Sequence, residues 1–128
     1  MARILVVEDE SDIRELISFT LTFSGYEVTG ATNGEEALEI AAEENFDLIL
    51  LDVRMPRLSG YDACKQMRKM DRTKDTPIVF LSAKGQENDM RAGLAAGADQ
   101  YILKPFAPAD LVVEIKQILA ERAVQGKI

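Results

Sequence analysis

Five polar side chains that could bind a metal ion and a phosphoryl group stand at the ends of four apolar runs. Glu8 and Asp9 end the first run, and Asp52, Ser82 and Lys104 end the next three. Clustered carboxylates repel one another unless a cation neutralises them, and oxygen-only ligands favour Mg²⁺ or a similar hard ion. A carboxylate can also accept a phosphoryl group as a mixed anhydride, with a lysine balancing the charge. The residue types therefore predict metal-assisted phosphoryl chemistry.

This chemistry requires that the four runs meet at one edge of a sheet. Apolar patterning predicts five strands, at 3–7, 26–31, 46–52, 78–82 and 99–103. Helical patterning predicts a helix after each strand. The first is capped by Ser11 or Asp12, carries an inward stripe of Ile13, Leu16, Ile17 and Leu21, and stops at Gly25, and the second begins at Asn33 paired with Glu36. The other three helices are predicted at 61–70, 86–96 and 109–123.

Five repeats of strand and helix predict an α/β fold with an open, doubly wound, five-stranded parallel sheet. At 128 residues one such domain is expected. In open sheets of this kind, ligands bind beyond the carboxyl ends of the strands. The flavodoxin-like strand order 2-1-3-4-5 would make the four strands that end in polar residues successive neighbours. Glu8 and Asp9 would then lie beside Asp52, with Ser82 and Lys104 following.

Composition narrows the class of protein. The chain has no histidine, so zinc sites built on imidazole and histidine-based acid–base catalysis are excluded, and any histidine chemistry must come from a partner. Its one cysteine, Cys64, cannot form an internal disulfide, which is typical of a cytoplasmic protein. A net charge of −7 disfavours direct nucleic-acid binding, and the longest apolar runs are too short to span a membrane.

Three other functions are considered for the same pattern. A haloacid-dehalogenase-type phosphotransferase would need a second aspartate two residues after Asp52, where this chain has Arg54. A flavodoxin-like FMN protein would need a phosphate-binding loop after the first strand, where Glu8 and Asp9 would repel a phosphate. A scaffold of the same fold that is never phosphorylated is the third alternative, and the complete residue set argues against it.

The chain resembles the receiver domains of response regulators in two-component (phosphorelay) signalling, including the chemotaxis receivers. The matching stretches are ILVVEDE (4–10), LILLDVRMPRLSGY (48–61), PIVFLSA (77–83) and GADQYILKPF (97–106), followed by the last helix. The resemblance implies a receiver domain at 1–123 and a short tail or linker at 124–128. It also implies a regulatory domain that is not an enzyme, although it assists its own phosphorylation and dephosphorylation.

The resemblance assigns a role to each site residue. Asp52 would accept the phosphoryl group. Glu8, Asp9, Asp52 and the backbone carbonyl of Arg54 would hold Mg²⁺, with Mn²⁺ as a substitute. Ser82, the backbone of Ala83, and Lys104 would contact the phosphoryl group, and the Lys104–Pro105 peptide is typically cis in the family.

A switch pair and three departures also follow from the resemblance. Ser82 would move toward the phosphoryl group and Tyr101 would rotate, changing the face formed by the fourth helix, the fifth strand and the fifth helix. Glu8 replaces a more common aspartate and Ser82 a more common threonine. Arg54 and Lys84 are both basic where they flank the phosphoryl site, and they are expected to tune its lifetime.

The expected partners are a sensor histidine kinase or phosphotransfer protein as donor and a downstream protein or output domain. A phosphorylation-dependent homodimer is a further expectation. Neither direct nucleic-acid binding nor membrane binding is expected, and the location is expected to be cytoplasmic.

Overall fold

The computed structural model describes residues 2–83, 95–104 and 106–124. Its strands are β1 (Arg3–Val7), β2 (Glu27–Ala31), β3 (Leu48–Asp52), β4 (Ile78–Ala83) and β5 (Gln100–Lys104). Four helices lie within the described ranges: α1 (Ser11–Phe23), α2 (Gly34–Glu43), α3 (Gly60–Met67) and α4 (Pro108–Val124). The fourth predicted helix, at 86–96, falls outside the described residues except for 95 and 96. Helix α4 is therefore the fifth helix predicted from the sequence, at 109–123. None of the helices in these ranges is long and apolar enough to cross a membrane.

The five strands form one parallel sheet in the order β2-β1-β3-β4-β5. This confirms the predicted fold class, with the flavodoxin-like strand order and alternating helices. The register brings the ends of the strands level: Val7 pairs with Leu51, Asp52 with Leu81, and Ala83 with Lys104. The polar residues that follow β1, β3, β4 and β5 therefore meet at one edge.

Both faces of the sheet are buried, because successive strand residues point to opposite sides. One face, which includes Leu51 and Phe80, packs against α2 and α3 through residues such as Ala37 and Met67. The other face, which includes Leu50 and Leu81, packs against α1 and α4. Two apolar layers thus hold the central strands rigidly, and the site is built on the ends of these strands.

Helix α1 differs from its prediction at its cap and on its buried face. Its N-cap is Glu10, which makes no side-chain capping bond, rather than Ser11 or Asp12. Ile17 and Leu21 are fully buried, whereas Leu16 is 48% exposed. The helix turns about 100° per residue, so pointing Ile17 and Leu21 at the sheet leaves Leu16 at the edge of the contact.

The ends of the first two helices follow the sequence signals. Gly25 adopts φ +98° just after α1, the left-handed conformation that glycine supplies at a helix C-terminus. The Asn33 side chain accepts a hydrogen bond from the Glu36 amide at 2.8 Å, and the Glu36 carboxylate accepts one from the Thr32 amide. The predicted capping pair of Asn33 and Glu36 is therefore confirmed.

Helix α3 ends at Met67, three residues before its predicted end. The Thr73 hydroxyl donates a hydrogen bond to the Met67 carbonyl, and the Arg68 guanidinium donates to the carbonyls of Thr73, Thr76 and Gly97. These side chains satisfy backbone carbonyl groups of the turn that follows α3. A longer helix would disrupt this turn and its hydrogen bonds. Tertiary contacts outweigh the local helical pattern here.

Candidate functional site

Three carboxylates converge at the carboxyl edge of the sheet. Ligand oxygens of Glu8, Asp9 and Asp52 all lie within 4.8 Å of one another. Glu8 and Asp52 are buried, whereas Asp9 is exposed to solvent. Strand β3 delivers Asp52, and the turn between β1 and α1 delivers the other two. The cluster is thus open on the side of Asp9 and closed behind Glu8.

Lys104 joins two of these carboxylates from the end of β5. Its Nζ donates to Oε1 of Glu8 at 2.8 Å and to Oδ1 of Asp52 at 3.3 Å. Burial lowers the pKa of this ammonium, but its bond to Glu8 and the charge of Asp52 outweigh burial and raise the pKa above its ordinary value. Lys104 therefore stays protonated and neutralises part of the cluster.

The two buried carboxylates titrate as a pair. Burial raises the pKa of Glu8 from 4.5 to about 7, against the opposing hydrogen bond from Lys104, and the neighbouring Asp52 carboxylate adds to the increase. Burial also raises the pKa of Asp52, while Lys104 and the backbone amide of Arg54 counter this increase. Burial and the neighbouring carboxylate of Asp52 thus both favour the protonated form of Glu8 when no cation is bound.

We expect Glu8→Gln to stabilise the metal-free protein by about 1–3 kcal/mol at pH 8 and to change its stability little at pH 5. The folded-state pKa of Glu8 lies above its unfolded value, so its contribution to stability is complete below about pH 4.5. That contribution is lost as the pH rises through about 7. The neutral amide of the variant would mimic the protonated acid at every pH. The free energy of unfolding is measured by urea titration with a chelator present.

The matched control for this prediction is Glu39→Gln, the same chemical change at an exposed position of α2. It should leave the dependence of stability on pH as in the wild type. The prediction would be contradicted if the free energy of unfolding changed equally between pH 5 and pH 8 in the wild type and in Glu8→Gln.

The predicted switch residues lie on neighbouring strands. Ser82 is buried in β4, and the ring of Phe80, two residues earlier, lies 5.8 Å from the ring of Tyr101 in β5. Phe80 pairs with Tyr101 in register. Because residues two apart in a strand share a face, Ser82, Phe80 and Tyr101 lie on the same side of the sheet. Tyr101 is half-buried there.

Of the remaining predicted site residues, the structure describes Arg54 and Ala83 but not Lys84. Arg54 is exposed just after the end of β3, and its backbone amide donates to Asp52. The backbone of Ala83 ends β4, opposite Lys104. Lys84 and Pro105 lie outside the described residues, so the predicted lifetime-tuning role of Lys84 and the cis peptide at Pro105 stay predictions.

A groove of about 430 Å³ lies beside Asp52 in the β3–α3 loop, lined by Val53, Arg54, Met55, Ser59 and Tyr61. A larger cavity of about 580 Å³ lies at the opposite, amino end of the strands, where Asp47 and Pro77 line it. Cavity size alone would point to the wrong end of the molecule, since the carboxylates and Lys104 lie at the carboxyl end.

Sequence reasoning missed three features of the site. It did not predict that Lys104 is closer to Glu8 than to Asp52. It also overlooked Arg14, which donates a 2.7 Å hydrogen bond to the Glu8 carbonyl, and Gly60, which packs against the backbone of Asp52. Nothing in the sequence distinguishes Arg14 from a solvated helix arginine. Gly60 could have been noticed as a glycine opening a helix immediately after the site loop.

The donor set fits a hard divalent cation. All three clustered side chains offer oxygen, and the cluster holds more negative charge than Lys104 balances. Glu8, Asp9 and Asp52 could hold Mg²⁺, whose charge would lower the barrier to phosphoryl transfer. Asp52 presents a carboxylate that an ammonium already contacts, an arrangement suited to accepting a phosphoryl group.

Comparison with known proteins identifies the family of the chain. The family model for the response regulator receiver domain matches residues 4–116. A curated relative from Porphyra purpurea, the probable transcriptional regulator ycf27, is 47% identical over 117 residues, which cover 91% of this chain and 47% of the relative. The chain spans about half the length of the curated relatives it matches.

Solved structures give the same result. Chemotaxis protein CheY4 of Vibrio cholerae superposes with a TM-score of 0.88 at 38% identity, over 91% of this chain and 98% of that one. The receiver domain of sensor histidine kinase PA1611 from Pseudomonas aeruginosa PAO1 superposes with a TM-score of 0.87 at 33% identity, over 93% of this chain and 98% of that one. That structure has a magnesium ion coordinated in its active site cleft. The chain therefore belongs to the response regulator receiver domain family, the regulatory domains of two-component signalling.

Proposed function

We propose that this chain is a phosphorylation-dependent signalling switch in which Asp52 accepts a phosphoryl group from a phosphohistidine of a partner. The observation that carries the proposal is the convergence of Glu8, Asp9 and Asp52 within 4.8 Å, with Lys104 bonded to both buried carboxylates. An acceptor, metal ligands and a charge-balancing ammonium are the parts that phosphoryl transfer requires.

In the proposed reaction, a carboxylate oxygen of Asp52 attacks phosphorus, the bond between phosphorus and the donor imidazole nitrogen breaks, and the imidazole leaves. The product is an acyl phosphate on Asp52. Glu8, Asp9, Asp52 and the carbonyl of Arg54 would hold Mg²⁺, which would supply charge neutralisation, and Mn²⁺ is an expected substitute. Lys104 exchanges part of its contact with the carboxylates for a contact with a phosphoryl oxygen. The chain assists this step and its later hydrolysis without being an enzyme that acts on a separate substrate.

The output side of the proposal rests on Ser82 and Tyr101. The Ser82 hydroxyl and the Ala83 backbone would donate to phosphoryl oxygens. A shift of Ser82 would then alter the space beside Phe80, on the same face of the sheet, into which Tyr101 can turn. This movement would change the surface around β5 and α4. Arg54 and Lys84 are proposed to tune the lifetime of the acyl phosphate by ordering or excluding water.

The partners follow from the chemistry and from the relatives. Because the sequence has no histidine, the phosphohistidine must lie outside it, and the proposed donor is a sensor kinase or a phosphotransfer protein. The curated relatives are named as transcriptional regulators, and this chain matches about half of their length. We infer that the switched surface controls an output in transcription through a partner or an attached domain. The net charge of −7 disfavours direct DNA contact by the receiver itself.

The test is to incubate the protein with Mg²⁺ and acetyl phosphate and to measure its intact mass. The wild type should gain one phosphoryl group, and it should gain none when a chelator removes the metal. Asp52→Ala should gain none in either condition. Asp71→Ala, the same change at an exposed aspartate, is the control and should be labelled like the wild type.

Two outcomes would overturn the proposal. If the wild type gains no phosphoryl group, the chain is a receiver-fold scaffold. If Asp52→Ala is labelled as fully as the wild type, a different residue is the acceptor.

A further inference from the structure

The turn that carries two of the proposed metal ligands is held by a side chain outside the ligand set. Nη1 of Arg14, in the first half of α1, donates to the backbone carbonyl of Glu8 at 2.7 Å. The backbone amide of Arg14 donates to the Glu10 carbonyl at 2.9 Å. Arg14 therefore contacts the turn at both ends, through its side chain at Glu8 and through its backbone at Glu10.

The hydrogen bond from Arg14 to the Glu8 carbonyl affects the position of both proposed ligands, Glu8 and Asp9. The Glu8 carbonyl belongs to the peptide that joins Glu8 to Asp9, so the orientation of this one peptide plane sets the direction of two carboxylates. The amide of Glu8 is fixed separately by the Ala31 carbonyl of β2, at 3.1 Å. Arg14 holds the other side of the residue, and together the two bonds define how Glu8 leaves the sheet.

Arg14 is itself well positioned for this task. Its aliphatic stem lies over Gly30 of β2, where a Cβ atom would be 3.5 Å from Cδ of Arg14. Gly30 pairs with Val6, two residues before Glu8. The stem packs on the edge of the sheet, and the guanidinium is thereby directed at the turn. Arg14 is half-buried, so solvent competes only in part for its hydrogen bonds.

We infer that Arg14 is a positioning residue for the divalent cation: it fixes the Glu8–Asp9 peptide so that both carboxylates converge with Asp52. This inference rests on the proposed function, because it requires that the cluster bind Mg²⁺. Residues that orient metal ligands typically change metal affinity by about 10–100-fold when they are lost.

The sign of the effect separates positioning from simple electrostatics. Arg14 is a cation bonded to the backbone of a proposed metal ligand. Removing its charge alone would therefore favour Mg²⁺ and tighten binding. Loss of ligand orientation would weaken binding instead. A variant that removes the charge and the donor but keeps the stem therefore distinguishes the two effects by direction rather than by size.

The experiment compares Arg14→Met, Arg14→Lys and the wild type by calorimetric titration with Mg²⁺. Arg14→Met keeps the stem over Gly30 and should raise the dissociation constant about tenfold. Arg14→Lys restores a charged donor and should recover most of the affinity. Lys65→Met, which removes one positive charge from an exposed site on α3, should bind as the wild type does.

A second measurement addresses a merely structural role. In Arg14→Met, the Mg²⁺ concentration for half-maximal labelling by acetyl phosphate should rise about tenfold, whereas the rate at saturating Mg²⁺ should stay near that of the wild type. A general loss of fold would lower the saturating rate and the urea midpoint together. If Arg14→Met does not fold, Arg14→Gln replaces it with the same expected rise.

Unchanged or tighter Mg²⁺ binding in a folded Arg14→Met variant would overturn the inference while leaving the proposed function standing. Absence of Mg²⁺ binding in the wild type would overturn the proposed metal site and the inference with it. The variant therefore tests the inference and the wild type tests the proposed metal site, in the same set of titrations.

Discussion

Lys104→Met is expected to slow phosphorylation of Asp52 by acetyl phosphate about 100-fold or more at saturating Mg²⁺. The Lys104 ammonium lies 3.3 Å from Oδ1 of Asp52 and 2.8 Å from Oε1 of Glu8. Its side chain is only 22% exposed, so water screens its charge weakly. Methionine keeps an unbranched side chain of four heavy atoms and removes the ammonium with its charge and donors. The transition state would then lose a preorganised cation beside the phosphoryl oxygens.

The same substitution should strengthen Mg²⁺ binding, by about tenfold or less. Lys104 and the metal ion compete for the same two carboxylates, and removing the ammonium ends that competition. With no metal bound, the two acids would share a proton more firmly, because the ammonium that offsets their repulsion would be gone. Affinity for the metal and rate of transfer should therefore move in opposite directions. A variant that is merely unfolded or distorted would lose both.

The measurement is the rate of mass gain at saturating Mg²⁺ together with a Mg²⁺ titration of each protein. Lys116→Met, on the exposed side of α4, is the matched control and should resemble the wild type in both. A Lys104→Met protein that is phosphorylated at the rate of the wild type would show that this lysine has no part in the transfer.

The arrangement of the site was predictable because topology alone produces most of it. Continuous apolar runs such as 48–51 indicate strands buried on both faces, and alternation with helices makes the sheet parallel. Once the order 2-1-3-4-5 is adopted, Asp52 must lie between the end of β1 and the end of β4, whatever the side chains do. The convergence of Glu8 and Asp52 follows from the backbone.

The details that escaped prediction depend on side chains that cross between elements. The reach of Lys104 to Glu8 spans 96 positions of sequence, and the bond from Arg14 to Glu8 depends on how α1 leaves its turn. Likewise, α3 stops early because Arg68 bonds carbonyls from later segments. Local propensity carries no information about such partners, so it misplaced the helix end.

Gly60→Ala is expected to destabilise the protein by about 3 kcal/mol or more, although helix propensity alone predicts a gain of about 1 kcal/mol. Gly60 opens α3, and its amide donates to the Val53 carbonyl at 2.9 Å. A Cβ atom at this position would lie 2.2 Å from the backbone oxygen of Asp52 and 2.9 Å from Cα of Val53. Both neighbours are backbone atoms, so no side-chain rotation can relieve the clash.

The clash would also displace the proposed phosphoryl acceptor, Asp52, because the added Cβ atom meets its backbone oxygen. Separating α3 from β3 would move the peptide that carries Asp52, and the proposed Arg54 carbonyl ligand follows two residues later. We therefore expect Gly60→Ala to bind Mg²⁺ more weakly and to accept less phosphoryl group, in addition to its loss of stability. Urea unfolding with a chelator measures the loss of stability, and Mg²⁺ titration of the folded fraction measures the effect on the site.

Gly34→Ala is the matched control, because Gly34 also opens a helix behind a capping residue, Asn33. A Cβ atom there would meet Leu58 at 3.1 Å, a distance that a shift of a few tenths of an ångström relieves. Its cost should be less than about 1 kcal/mol, with Mg²⁺ binding unchanged. Equal stability for the two variants would show that the β3–α3 loop yields easily, and that contact with Gly60 does not hold Asp52 in place.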